Sequence, residues 1–316
     1  MSSQIPTFSV IMPTFNRAST IESSLHSVLS QDFKDLELIV VDDGSTDNTL
    51  ELLNSINDKR LRVVSQKNAQ RTQARRKGAS LAKGRYLAFC DSDDRWAARY
   101  LTETFNIFES YKADYIFTNY KVLGESLPRI DTAKTEVEGW LSRFSDDKGN
   151  DIHHFKTLYQ ALLQYQPIFT SCQAITREHY DNIGGISRHI NNIELGTQIT
   201  SEDSHIIRRS SLTTKAYFIN KILVELGRQG DNMSRSYLSN LQGGLVVLND
   251  ILKTTSLSKA QVKLTKKAIS EHRIKIAYQS YYFQSRNEYL KVYRSLPFFE
   301  LAFKNHLHAF LTLIRR

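Results

Sequence analysis

The chain has 316 residues, room for one large α/β unit and an appendage at roughly 150 residues per domain. Hydrophobic residues make up 41% and charged residues 24%, with 13 glycines and 5 prolines, which excludes collagen-like, low-complexity and wholly disordered chains. The net charge of +9 is uneven, because residues 1–203 carry −4 and residues 204–316 carry +13. A basic C-terminal third indicates contact with an anionic surface, either nucleic acid or membrane.

The sequence contains no recognisable targeting or membrane-spanning segment. Residues 1–17 lack a basic stretch followed by an uninterrupted apolar run, and no run of about 18 apolar residues occurs. The two cysteines, Cys90 and Cys172, have no metal-ligand spacing and are too few for a disulfide framework. We therefore expect a cytoplasmic protein.

Alternating apolar and amphipathic segments in the first hundred residues predict βαβ units with a parallel sheet. In chain order the predicted elements are strand 8–12, helix 19–30, strand 36–41, helix 49–57, strand 61–64, helix 72–82, strand 85–90, helix 97–111 and strand 115–118. Residues 124–151, rich in charge and turn formers, predict an exposed insertion. Beyond it we predict a helix over 152–165, an extended segment over 170–176, a helix over 201–211 and a helical, basic region from about 235.

Polar residues follow the first two predicted strands. Strand one leads into Pro-Thr-Phe-Asn-Arg at 13–17, and strand two into Asp-Asp-Gly-Ser-Thr-Asp at 42–47. Open α/β sheets bind ligands at the carboxyl ends of their strands, where paired carboxylates can accept hydrogen bonds from a ribose or a base. The hexapeptide equally fits an Asx-type turn before a capped helix. Since no GxGxxG or Walker A sequence is present, a nucleotide site here would be of another kind.

Three carboxylates lie within four residues directly after strand four, at Asp91, Asp93 and Asp94. Their mutual repulsion favours a hard divalent cation that also bridges to phosphate oxygens. The alternative is a solvated acidic turn, although an apolar strand leads straight into the segment. The pattern therefore predicts a metal site.

Together these motifs resemble those of family 2 glycosyltransferases. The resemblance covers roughly residues 7–235 and rests on VIMPTFNR (10–17), ELIVVDDGSTDNT (37–49), Asn68 with ARRKG (74–78), KGRYLAFCDSDD (83–94), IGG (183–185), and SED (201–203) with Arg209. It implies an α/β fold, a GT-A (Rossmann-like) nucleotide-sugar-binding domain with a mostly parallel central sheet. That domain would span 1–235, with a donor half at about 1–118 and an acceptor half at about 152–235, followed by a helical basic region at 236–316.

The resemblance also implies roles for individual residues. The nucleotide pocket would be formed by Pro13, Thr14, Asn16, Arg17, Asp42, Asp43, Arg75, Asp91, Ser92 and Arg209. Asp91 and Asp93 would form a DxD element that binds Mn²⁺ or Mg²⁺, Asp93 directly, and the cation would offset charge on the departing nucleoside diphosphate. Asp203 would deprotonate the acceptor hydroxyl and so invert the anomeric centre. Glu202 and Asp203 could instead serve only to cap a helix.

Apolar residues recur every three or four positions near the C-terminus, at Phe299, Phe303, Leu307, Phe310 and Ile314. This spacing puts them on one helical face beside basic residues, which is typical of a peripheral membrane helix. Such a helix would hold the enzyme against the inner face of the cytoplasmic membrane. The alternative is a helix that packs on its own domain or on a second subunit, so a homo-oligomer stays open.

The sequence therefore predicts an inverting, metal-dependent glycosyltransferase. By the resemblance, its donor is a nucleotide-diphosphate sugar, with UDP as the expected nucleotide, and its acceptor is a glycan or lipid-linked glycan. A bacterial surface polysaccharide such as O-antigen or capsule is the expected product. One alternative is a nucleotidyltransferase, which would need a Gly-rich triphosphate loop that the sequence lacks. Another is a basic membrane- or nucleic-acid-binding protein; residues 1–203 are acidic and no nucleic-acid motif occurs, so we expect no nucleic-acid partner.

Overall fold

A computed structural model describes residues 5–125, 130, 139–187, 202–227 and 237–283. The chain divides into two compact units, Met1–Ser187 with Ile206–Asp231, and Arg188–His205 with Asn232–Arg316. Within the described ranges, no helix combines the length and apolar character that crossing a bilayer requires. The apolar residues at 299–314, which the sequence analysis places on one helical face, lie outside those ranges.

The elements are numbered here in chain order. The strands are β1 (Phe8–Thr14), β2 (Leu36–Asp42), β3 (Leu61–Ser65), β4 (Tyr86–Phe89), β5 (Arg95–Trp96), β6 (Tyr115–Val122), β7 (Asp146–Asp147), β8 (Ile152–Phe155), β9 (Gln173–Thr176) and β10 (Ala216–Leu226). The helices are α1 (Ile21–Leu29), α2 (Thr49–Ser55), α3 (Arg71–Leu81), α4 (Tyr100–Tyr111), α5 (Trp140–Phe144), α6 (Leu158–Gln164), α7 (Arg177–Asn182), α8 (Glu202–Ser210), α9 (Tyr237–Thr254) and α10 (Lys259–Phe283). A 3₁₀ turn at Thr170–Cys172 precedes β9.

The strands form one mixed sheet in the order β3-β2-β1-β4-β9-β6-β10-β8-β7, with β5 paired to β10. β1 to β4 run parallel, as the βαβ pattern predicts. β9 lies between β4 and β6 and is antiparallel to both, whereas β6 and β10 are parallel. The α/β fold class is confirmed, and the antiparallel β9, β8, β7 and β5 make the sheet mixed beyond its first four strands.

The parallel half of the sheet is buried because its strands are continuously apolar. β1 is buried at every position and β2 at all but one. Helix α3 packs directly on it at Gly78, where a Cβ would come within 2.6 Å of the Ile11 side chain. This close contact fixes the helix that carries Arg75, a residue only 2% exposed.

Three parts of the first unit differ from the sequence-based expectations. Residues 152–165 are not one helix, because 152–155 pairs with β10 and β7 as strand β8 and only Leu158–Gln164 is helical. The sequence analysis missed β10, an eleven-residue strand at the centre of the second half of the sheet. The 124–151 insertion is not wholly exposed, since Ile130 and Trp140 are buried.

The second unit contains the predicted helical region. Helices α9 and α10 pack together, with Gly244 of α9 so close to α10 that a Cβ would lie 3.0 Å from His272 Nε2. His205 Nε2 lies 2.9 Å from Asp250 Oδ2, and both side chains are buried. This unit therefore has its own small core and a buried polar contact.

Candidate active site at the carboxyl ends of the strands

The polar motifs that follow β1, β2 and β4 lie at one edge of the sheet. β1 pairs in parallel with both β2 and β4, so Thr14 lies opposite Asp42, and Ile11 lies opposite Phe89. The residues after these strands must therefore emerge on the same side, as the sequence predicts.

The carboxylates after β4 form a tight turn, closed by a 3.0 Å hydrogen bond from the Asp94 amide to the Asp91 carbonyl. Arg75 Nη2 lies 2.6 Å from Asp91 Oδ1, and Arg17 Nη2 lies 3.4 Å from Asp93 Oδ2. The Asp91 and Asp93 side chains are 18% and 20% exposed. Two partly exposed carboxylates, each beside an arginine, thus face the ligand edge of the sheet.

Asp91 and Asp93 offer oxygen donors to a hard cation, and a bound ligand would complete the coordination of that cation. Mn²⁺ and Mg²⁺ take oxygen donors, and Mg²⁺ is commonly bound by one or two carboxylates together with substrate phosphates. Among the described residues, no group of three or more His, Cys, Asp or Glu side chains is arranged to hold a metal. Oxygens of a bound molecule such as a diphosphate could complete the coordination of a cation on Asp91 and Asp93.

Asp94 has a different environment from the other two carboxylates. It is buried, and it accepts hydrogen bonds from Ser171 Oγ at 2.5 Å and from the Gly227 amide at 2.9 Å. Burial, followed by the charges of Asp91 and Asp93, raises the pKa of Asp94 well above its usual value. Asp94 points into the protein and anchors the turn from behind.

Burial also acts on Asp93. Burial, followed by the negative charge of Asp91, raises the pKa of the Asp93 carboxyl. The positive charge of Arg17 opposes this shift. The turn therefore holds its negative charge at an electrostatic cost that a bound cation would relieve.

Ser171 and Gly227 are contacts of this turn that the sequence analysis missed. Ser171 Oγ also accepts the Asp91 amide at 2.9 Å, and a Cβ on Gly227 would overlap the Asp93 carbonyl oxygen. Gly227 directly follows an aromatic and β-branched segment that should have been identified as β10.

Asp42 and Asp43 are buried at the end of β2 and take part in hydrogen bonds within the protein. Asp42 Oδ2 accepts Ser65 Oγ at 3.2 Å, and Asp43 Oδ1 accepts Gln66 Nε2 at 2.7 Å and the Ala69 amide at 2.9 Å. These bonds join the loops after β2 and β3. The contribution of the two carboxylates to a nucleotide pocket stays a prediction.

The loops after β1 and β2 are joined by hydrogen bonds. Asn16 has a left-handed backbone conformation with φ 51°. Its backbone amide donates to Ser45 Oγ at 2.9 Å, and its side-chain Oδ1 accepts the Thr46 backbone amide at 2.8 Å. Asp47 Oδ1 accepts the Thr49 amide at 3.0 Å, the Asx-type contact that the hexapeptide suggests. Asn16, a predicted pocket residue, therefore also holds the loop after β1 against the loop after β2.

Three more predicted pocket residues lie around this edge. Pro13 and Thr14 are the last two residues of β1, and the buried Thr14 hydroxyl has no hydrogen-bond partner in the described part of the chain. Ser92 is buried within the carboxylate turn, and its carbonyl accepts Thr20 Oγ1 at 3.1 Å.

Arg209 and Asp203 both lie on α8. Arg209 is buried in the first unit, where its Nε donates to the Ile183 carbonyl at 2.9 Å and its guanidinium lies under Gly184, which has φ 73°. Arg209 thus supports the glycine turn at 183–185. Asp203 lies in the first turn of α8, within the second unit. A phosphate contact for Arg209 and a role as base for Asp203 stay predictions.

The family model "Glycosyl transferase family 2" matches residues 9–184, a little over half of the chain. The chain is 35% identical over 115 residues to the Escherichia coli UDP-Glc:alpha-D-GlcNAc-diphosphoundecaprenol beta-1,3-glucosyltransferase WfaP, which covers 36% of this chain and 46% of WfaP. It is 36% identical over 162 residues to the putative teichuronic acid biosynthesis glycosyltransferase TuaG of Bacillus subtilis, which covers 46% of this chain and 64% of TuaG. The chain thus spans about half to two thirds of the length of these curated relatives.

Solved structures show the same fold. S. aureus TarS 1–349 in complex with UDP-GlcNAc aligns with a TM-score of 0.64 at 19% identity, over 90% of this chain and 79% of that one. The mannosyltransferase PcManGT from Pyrobaculum calidifontis, in complex with GDP-Man and Mn²⁺, aligns with a TM-score of 0.58 at 15% identity, over 98% and 85%.

Proposed function

Because the chain belongs to glycosyltransferase family 2, we propose that it is an inverting, metal-dependent transferase that moves a sugar from a UDP-sugar to a hydroxyl of a lipid-linked glycan. The observation that carries this proposal is the pair of carboxylates, Asp91 and Asp93, each beside an arginine at the ligand edge of the sheet. We infer a role in bacterial surface polysaccharide synthesis from the names of WfaP and TuaG.

The donor side of the proposed site uses both charges of these pairs. Asp91 and Asp93 would hold Mn²⁺ or Mg²⁺, which supplies Lewis-acid stabilisation of the departing diphosphate. Arg17 and Arg75 bring positive charge next to these carboxylates. In our proposal the partly exposed Arg17 donates to a phosphate oxygen while it stays near Asp93. The nucleoside would lie over the loops that follow β1 and β2, next to Thr14.

The acceptor side needs a base. In our proposal Asp203 removes the proton of the acceptor hydroxyl while that oxygen attacks the anomeric carbon, and the bond from this carbon to the diphosphate oxygen breaks. Attack opposite the leaving group inverts the anomeric centre.

The basic composition of residues 204–316 supports a place at the inner face of the cytoplasmic membrane, where a lipid-linked acceptor would be met. WfaP, by its name, acts on a diphosphoundecaprenol-linked sugar.

Calorimetry with UDP, GDP and dTDP, each with and without Mn²⁺, tests the donor side of the proposal. We expect UDP to bind in a Mn²⁺-dependent way, and Asp93→Ala to abolish that dependence. Asp146→Ala is the matched control, because Asp146 is 51% exposed and pairs only with Lys156 among the described residues. Metal-independent binding, or equal binding by Asp93→Ala, would refute the cation site; preference for GDP or dTDP would refute the UDP assignment.

A further inference from the structure

An exposed aromatic ring lies close to the carboxylate turn. Phe169 is 46% exposed, more than Phe15 at 42% or Tyr111 at 37%. Exposure of a large apolar ring to water is unfavourable in free energy, and such a ring can mark a binding surface. The residues around Phe169 show whether it does.

The ring of Phe169 is held in place on one side. Its centroid lies 5.1 Å from that of the buried Tyr120, at an interplanar angle of 71°. The Phe169 carbonyl accepts the Cys172 amide at 3.0 Å, which ties the backbone into the 3₁₀ turn. Phe169 is therefore a supported side chain with an open surface, and ordering it on a ligand would cost little conformational entropy.

The 3₁₀ turn brings this ring close to the carboxylates. Ser171, two residues after Phe169, bonds to the Asp91 amide and to Asp94. Since consecutive Cα atoms are about 3.8 Å apart, the Phe169 and Ser171 Cα atoms are at most about 7.6 Å apart. Because β9 is antiparallel to both β4 and β6, β4 and β6 run in the same direction. Tyr120, near the end of β6, thus lies at the same sheet edge as the carboxylate turn.

The sheet order separates this ring from the candidate nucleoside pocket. Asp42 ends β2, on one side of β4, whereas Tyr120 lies on β6, on the other side. Four strand spacings of about 4.8 Å put β2 and β6 about 19 Å apart, with β4 and its carboxylate turn between them. A nucleotide-sugar bound over β1 and β2 with its diphosphate at the turn leaves the Phe169 side for the molecule that receives the sugar.

We propose that the open face of Phe169 stacks on a pyranose ring of the acceptor glycan. The C–H hydrogens on one face of a pyranose form an apolar surface, which packs on the electron-rich face of an aromatic ring. This inference rests on the proposed function, because it places the acceptor by reference to the nucleotide and the diphosphate. It makes Phe169 a binding residue for the acceptor.

The test is saturation-transfer-difference NMR on the full chain with UDP, Mg²⁺ and a mixture of the methyl α- and β-glycosides of glucose, galactose and N-acetylglucosamine. Wild type should transfer saturation to the uracil protons and to the ring C–H protons of at least one glycoside. Phe169→Ala should lower that glycoside's signal about tenfold and leave the uracil signal unchanged. Phe169→Trp should keep both signals, and Phe169→Leu should keep less of the glycoside signal than Trp.

Tyr111→Ala is the control, because Tyr111 is also an exposed aromatic residue and its ring contacts Tyr217 at 5.0 Å. It should change neither signal. A uracil signal without any glycoside signal in wild type overturns the inference, as does a glycoside signal that survives in Phe169→Ala. Loss of the uracil signal in Phe169→Ala would assign the ring to the nucleotide instead. Absence of the uracil signal in wild type would count against the proposed function itself.

Discussion

Replacement of Ser171 by alanine should destabilise the carboxylate turn from its buried side. The Ser171 hydroxyl is fully buried, donates to Asp94 Oδ2 at 2.5 Å and accepts the Asp91 amide at 2.9 Å. Alanine removes both bonds and fills almost the same volume. The substitution therefore tests the hydrogen bonds rather than the packing.

The size of the effect follows from these two partners. An intramolecular hydrogen bond contributes about 0.5–1.5 kcal/mol, and a buried amide left without a partner costs about 1–3 kcal/mol. The Gly227 amide still donates to Asp94, which limits the loss. We expect Ser171→Ala to lower the free energy of unfolding by about 3 kcal/mol.

Urea unfolding followed by circular dichroism measures this loss. Ser24→Ala is the matched control, because Ser24 is equally buried but its hydroxyl makes, among the described residues, only a 3.5 Å contact with the Thr20 carbonyl. Alanine also favours the surrounding helix α1, so this variant should lose less than about 1 kcal/mol. Mn²⁺-dependent UDP binding should weaken in Ser171→Ala and stay unchanged in Ser24→Ala.

A double-mutant cycle with Asp94→Asn isolates the bond between the two side chains. Residues that share a hydrogen bond show a coupling energy of about 0.5–3 kcal/mol. We expect a value of at least about 1 kcal/mol for Ser171 and Asp94. Additive losses, or a Ser171→Ala loss no larger than that of Ser24→Ala, would refute the assignment of Ser171 as the residue that holds the turn.

Three further predictions concern other parts of the chain. Asp203→Asn should keep UDP binding in calorimetry and lose sugar transfer by about 10²–10⁴-fold, whereas near-normal turnover would point to another base. Arg208 is buried with no ion-pair partner among the described residues, and burial lowers its pKa to about 10. A buried guanidinium whose pKa is lowered destabilises the folded chain while it is charged, so Arg208→Met should raise the urea midpoint below pH 10, and this gain should shrink as the pH rises above 10. A lower midpoint at neutral pH would contradict this account. The charge of 204–316 predicts sedimentation with vesicles that contain phosphatidylglycerol but not with pure phosphatidylcholine, and release at 0.5 M NaCl; equal binding to both would argue against an electrostatic contact.

The sequence was sufficient for the parallel half of the fold because its signals there are local. Continuous apolar runs mark β1, β2 and β4, and their starting residues agree with the structure to within one position. Strand β8 was missed because Ile-His-His-Phe has no strand signal of its own and is extended through its pairing with β10. Strand formation there depends on a segment more than sixty residues away.

The candidate site was predictable in its residues but not in its contacts. That Asp91 and Asp93 share a turn follows from their spacing, and the parallel strands place them beside Arg17. The bond from Ser171 to Asp94 joins residues 77 positions apart, and nothing in the local sequence of either residue indicates it. The resemblance predicts Arg75 near the phosphates of a nucleotide, and in the structure its guanidinium forms an ion pair with Asp91.

The two arginine–aspartate pairs have a consequence for the order of events at this site. If a cation takes the Asp91 and Asp93 oxygens while a diphosphate takes the arginines, binding becomes an exchange of ionic partners, and the local charge is balanced only when both the cation and the diphosphate are bound. The exchange is unequal, because Arg75 is 2% exposed and Arg17 is 31% exposed. On the proposed function, Arg17 would therefore be the arginine that moves towards an incoming diphosphate, and Arg75 would stay in place as a fixed positive charge.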